Sequence, residues 1–114
     1  MRILGFSKKW DKLKNETFTA FRFKRRDKQD WYIGEIVQIV FKPRSKGGGE
    51  KLGLAEIIHK ERRDLFRIGV MEEEAKRDGF ESIPKMGEWL DKTYGRRWLN
   101  EPMNKLTLKW IKES

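Results

Sequence analysis

The chain of 114 residues has no cysteine and a single histidine, His59. Without thiols it has no disulfide, no thiolate metal site and no cysteine nucleophile, and one imidazole makes no histidine cluster. No metal and no cofactor is therefore expected. Long apolar runs are also missing. Residues 1–6 fall short of a signal peptide, and no stretch approaches the roughly 20 apolar residues that a membrane helix requires. The expected location is cytoplasmic, with no membrane partner and a monomer as the default state. Negative charge is the scarcer sign, with 18 Asp and Glu against 27 Lys and Arg. The resulting net charge of +9 and pI near 9.9 favour a polyanion such as RNA over an acidic metabolite. Abundant Lys, Arg and Glu without Cys also matches the composition of proteins from hot environments.

What the chain does have is enough apolar material for one core. Hydrophobic residues make up 37% of it, with five Trp and seven Phe, so residues 1–114 are expected to form a single domain. Ile3, Leu4 and Phe6 open it as a short strand, and Ser7 is a candidate cap for a helical turn from Lys8 to Leu13. Thr17 to Phe23, rich in Thr and Phe, suits a strand. Tyr32 to Phe41 is apolar on both faces and is expected to be a strand enclosed by a barrel wall. The stretch KPRSKGGGEK, from Lys42, is expected to be a loop. Leu52 to Lys60 and Leu65 to Ile68 follow as strands.

Glu72, Glu73 and Glu74 suit the first turn of a helix that Gly79 ends. Ser82 and Pro84 start another, whose stripe is Ile83, Met86, Leu90 and Tyr94. Leu106, Leu108 and Trp110 alternate with polar residues as a closing strand. The expected class is α+β: a small mixed β-barrel with two or three short helices packed at one side. Its core should include Ile36, Val37, Ile39, Leu54, Ile57, Leu90, Leu106, Leu108 and Trp110.

Charge is clustered as well as abundant. Between Lys8 and Arg26 eight basic residues (Lys8, Lys9, Lys12, Lys14, Arg22, Lys24, Arg25 and Arg26) face only two acidic ones, Asp11 and Glu16. Trp10 and Phe18 interleave with them, and aromatic faces amid cations suit base stacking on a phosphate-binding surface. The bland alternative is a solvated face of lysines over two core aromatics. Three glycines at 47–49 lack the Lys-Ser or Lys-Thr of a phosphate-binding loop. His59 lies within a strand and is expected to be structural.

The threonine strand preceded by Lys14-Asn15-Glu16, the acidic segment ending EEEAKRDGFES with its Asp78-Gly79-Phe80 junction, and the closing NKLTLKWI together resemble the ASCH family of PUA-like domains across nearly the whole chain. The resemblance implies a PUA-like β-barrel with a cleft between the threonine strand and the helices, and RNA or a modified nucleoside as ligand. Some similar proteins hydrolyse acetylated cytidine with a lysine just before the first threonine, the second threonine and an acid near the helix junction. Here the threonine falls on Thr19 and the acid on Asp78, whereas Glu16 stands in the lysine's place and Lys14 is two residues away. Thr17 and Thr19 share a strand face, and Arg22, at odd separation, is expected on the other unless a bulge intervenes.

Three functions follow. The first is an RNA-binding domain in which Lys8, Lys9, Lys12, Arg22, Lys24, Arg25 and Arg26 hold phosphates, while Thr17, Thr19 and Trp10 meet a base or sugar. The second is a small hydrolase of RNA or modified nucleosides, acetylcytidine amidohydrolase-like or a ribonuclease, with Glu16, Thr19, Asp78 and Lys14 as its candidate groups. The third is a ribonucleoprotein adaptor. With Glu16 in the lysine's place, turnover of acetylcytidine is not expected, since a carboxylate offers no amine of tuned pKa.

Overall fold

The computed structural model describes residues 1–8, 10–25, 29–43, 47–64 and 72–111. The strand expected at Leu65 to Ile68 lies outside them. In chain order the elements are β1 (Ile3–Phe6), a 3-10 turn (Asp11–Lys14), β2 (Thr17–Phe23), β3 (Ile36–Phe41), β4 (Glu50–Arg63), α1 (Glu72–Arg77), α2 (Ile83–Tyr94), α3 (Arg97–Asn100) and β5 (Met103–Trp110).

The five strands form one mixed sheet in the order β1-β3-β4-β5-β2. Among the described residues only the β1–β3 pair runs parallel. The fourteen-residue β4 is the spine, and it carries two irregularities. Ile39 pairs with Gly53 but Val40 with Lys51, and Ile57 pairs with Leu108 but His59 with Thr107. Each leaves one extra residue on β4, Leu52 and then Ile58, which bends and twists the strand. The sheet curls into a half-barrel around Val37, Ile39, Ala55, Ile57, Leu106 and Leu108, all fully buried.

A closed barrel wall was expected, and here the structure differs. β1 and β2 are the two sheet edges, and no ladder joins them. Side chains meet across the gap instead. Arg22 Nη2 donates to the Gly5 carbonyl at 2.8 Å, and the rings of Phe6 and Phe18 stand edge to face at 6.2 Å.

Local signals account for most helix boundaries. Ser82 Oγ accepts from the Lys85 amide at 3.3 Å, and Pro84 follows in the first turn. Met86 and Leu90 are buried and Tyr94 half-buried, but Ile83, at the helix start, stays 40% exposed. The α1 C-terminus ends in a paired turn: Phe80 N donates to Ala75 O and Gly79 N to Lys76 O, with Gly79 at φ 103°.

Three local expectations are corrected. Tyr32 to Glu35 is a turn rather than strand, with Gly34 at φ 93° and Tyr32 and Ile33 exposed. Ile36, first residue of β3, points outward and is 43% exposed, while Leu54 and Trp110 are half-buried. Ser7 caps nothing: Trp10 holds the cap position of the 3-10 turn and makes no side-chain cap bond.

Candidate functional site

The 3-10 turn brings Lys12 inward. Its Nζ donates to Asp78 Oδ1 at 2.9 Å, and the Thr19 hydroxyl donates to the same oxygen at 2.8 Å. Two donors from the N-terminal part of the chain thus converge on one carboxylate oxygen from the end of α1. Asp78 is placed there by the α1 terminus, because it is the last residue before the left-handed Gly79 that the paired turn requires. Both charged side chains are nearly excluded from water, at 5% and 7% exposure.

Burial sets the electrostatics. Desolvation pulls the Lys12 ammonium down to about 8, against the opposing pull of Asp78, and Arg22 pushes it further in the same direction. Desolvation also raises Asp78, opposed by Lys12, Thr19 and Arg22. The two groups are drawn toward each other on the pH scale, so a proton passes between them at smaller cost than between an ordinary lysine and aspartate. Lys12 therefore gives up its proton more readily near neutral pH than an unperturbed lysine does.

A cavity of about 180 Å³ leads to this pair. Its walls are aromatic and apolar (Phe6, Trp10, Phe80, Met86, Trp89 and Tyr94), with Lys12, Arg22 and Asp78 as its charged groups. Trp10, Phe80 and Trp89 pack edge to face or tilted, with centroids 5.1 to 6.0 Å apart. The volume is below the range for drug-sized ligands and suits a single ring.

Phe21 and Arg22, consecutive and therefore on opposite faces of β2, both line the cavity. It lies beyond the free edge of β2, where side chains from either face reach it. The β2–β5 register is unbroken from Thr17 to Phe23, so no bulge turns Arg22. The edge position instead lets the short Thr19 and the long Arg22 act on Asp78 together.

The other candidates are dispersed. Glu16 is 61% exposed, 3.9 Å from Lys109, and lines a separate hollow of about 490 Å³ that also holds Thr17 and Thr19. Lys14 is 83% exposed and pairs with Asp11 at 3.6 Å. Lys12, not Lys14, is the lysine that reaches Asp78. Lys8 is exposed, its ammonium 4.6 Å from the Trp10 ring centre. Trp10 is buried at the cavity wall, and Phe18 is a core residue. Lys24 is exposed. Arg25 sits against the Trp31 ring at 4.9 Å, at the end of β2 remote from Asn15. Lys9 and Arg26 lie outside the described residues. His59 is exposed, and among the described residues no three His, Cys, Asp or Glu side chains gather as a metal site. No described helix is long and apolar enough to cross a membrane.

Lys12, expected among the phosphate-binding cations, is instead buried against Asp78. The signal available was its place between Trp10 and Leu13, two apolar residues of one tight turn that pack on the core.

No family model matches the chain, and no curated protein or solved structure is significantly similar to it.

Proposed function

We propose that this protein is a hydrolase of the N-acyl group on a modified pyrimidine nucleoside, similar to the acetylcytidine-hydrolysing members of the PUA-like ASCH family. The observation that carries the reading is the buried Lys12–Asp78 pair at the charged end of an aromatic cavity, with Thr19, which lines the separate hollow, donating to the same Asp78 oxygen. The resemblance calls for a threonine, an acid and a lysine just before the first threonine, where Glu16 stands; in this reading Lys12, from another position, takes the lysine's part.

The chemistry follows from Lys12 and Asp78 in the cavity wall. Lys12, as free amine, takes a proton from water in the cavity, and the water oxygen bonds to the acetyl carbon. Collapse of the adduct breaks the carbon–nitrogen bond, the proton passes from Lys12 to the departing amino nitrogen, and acetic acid leaves. Asp78, held in turn by the Thr19 hydroxyl, orients Lys12, and the Arg22 guanidinium offers positive charge to the developing oxyanion.

The test is turnover of N4-acetylcytidine by the purified protein. Wild type and Glu16→Ala should both release cytidine. Lys12→Ala and Asp78→Ala should lose on the order of a hundredfold or more in kcat/KM. A wild type without turnover, or full activity in Lys12→Ala, would sink the proposal.

A further inference from the structure

The buried pair has a second approach. A hollow of about 480 Å³ is lined by Lys8, Asp11, Asn15, Lys76, Arg77 and Glu81, and it shares Trp10, Lys12 and Phe80 with the aromatic cavity. The two spaces meet at the same three side chains. One is apolar and ring-sized, the other wide and charged.

The charges of the outer hollow do not cancel. Lys8, Lys76 and Arg77 are exposed, and none of them makes an ion pair with the other described residues. Asp11 and Glu81 are the two acids present, so the exposed cations Lys8, Lys76 and Arg77 outnumber them, while Lys12 is already paired with Asp78. Complementing the end of the α1 dipole accounts for Lys76 and Arg77, which lie in its last turn. It does not account for Lys8, which comes from the segment after β1 and rests on the Trp10 ring. Three exposed cations without an ion pair among the described residues, from two separate segments around a hollow that adjoins a base-sized slot, match the layout of a nucleotide: planar ring inside, phosphate outside.

We propose that the outer hollow is a phosphate subsite, so that the substrate of the Lys12–Thr19–Asp78 centre is a phosphorylated nucleoside. This rests on reading the inner cavity as the pocket for the base. The phosphate belongs to a free nucleotide or to an RNA chain, and both present the same group to Lys8, Lys76 and Arg77.

The experiment is equilibrium binding, by calorimetry or amide chemical shifts, of cytidine, cytidine 5′-monophosphate, inorganic phosphate and a short cytidine-containing RNA. Proteins are wild type and Lys76→Ala/Arg77→Ala. In wild type the monophosphate should bind at least about tenfold tighter than cytidine, and the margin should shrink as salt rises from about 50 to 200 mM. The double variant should erase the margin. RNA binding with a steeper salt slope than the monophosphate assigns the phosphate to an RNA chain, and equal slopes assign it to a free nucleotide. Cytidine and its monophosphate binding alike in wild type overturns the subsite while leaving the base pocket standing. Inorganic phosphate held through Lys76 and Arg77 with no cytidine binding keeps the subsite and overturns the base pocket. An unaltered margin in the double variant overturns the assignment to this hollow.

Discussion

Trp10 packs so closely on the bare α-carbon of Gly79 that a β-carbon there would stand 2.6 Å from its Cε3. Gly79 also sits at φ 103°, where a side chain is strained whatever the space. Two independent needs, a left-handed turn and an indole contact, therefore meet at the residue after Asp78. Gly79→Ala should destabilise the fold by at least about 1–2 kcal/mol through strain alone, with the clash adding to it. It should also depress activity by displacing Asp78. Urea unfolding and acetylcytidine turnover check the two effects.

The Lys12–Asp78 pair should be coupled in stability. Lys12→Met leaves a buried carboxylate without its counter-ion, a change that commonly costs about 3–5 kcal/mol. Adding Asp78→Asn removes the orphaned charge while keeping an acceptor for Thr19, so the double variant should regain much of that loss. Denaturant midpoints of the two single variants and the double variant measure the coupling, and strict additivity would contradict the ion pair.

The same pair gives a pH dependence with a definite sign. Folded Lys12 releases its proton near pH 8, while the unfolded chain holds it to the ordinary 10.5. Unfolding therefore takes up a proton in that interval, and stability relative to Lys12→Met should rise as pH climbs from about 8 toward 10. Below about 8 the penalty for burying the ammonium is present in full. Unfolding curves of the two proteins across this range reveal it.

Catalysis by the free amine predicts a rising limb. Below pH 8 the rate should climb nearly tenfold per unit and level off above it, because the active form is deprotonated Lys12. A rate that falls through pH 8 would instead make the ammonium the working form and Asp78 the base. The pH profile of kcat/KM separates the two.

Glu74 holds α1 in place from the sheet side. Arg63 grips its two oxygens at 2.8 and 2.9 Å, and Lys105 reaches one of them as well. Asp78 follows one helical turn later. Glu74→Gln should loosen that anchor and lower kcat without removing any group that touches substrate, and turnover kinetics together with amide exchange across α1 test this.

What the sequence revealed depended on how local each cause is. Thr17–Phe23 and the Ser82 cap arise from neighbouring residues, and both were legible. The hydrogen bond from Thr19 to Asp78 joins two residues that were candidates on resemblance alone, since they lie 59 positions apart. Lys12 was not legible as a buried group, because its burial depends on a partner 66 positions away and a short 3-10 turn gives too few residues for a periodic signal. The open edge between β1 and β2 was equally hidden. Both strands carry apolar residues suited to a wall, and only the register of β3 and β5 decides what they pair with.

That unpaired edge has a mechanical consequence. Along most of the sheet, parting two strands means breaking a run of backbone hydrogen bonds, whereas between β1 and β2 a guanidinium and a pair of phenyl rings do the holding. Phe6 and Arg22 belong to this fastening and to the wall of the ring-sized cavity at once. Parting β1 from β2 disturbs side chains while every ladder among the described residues stays closed.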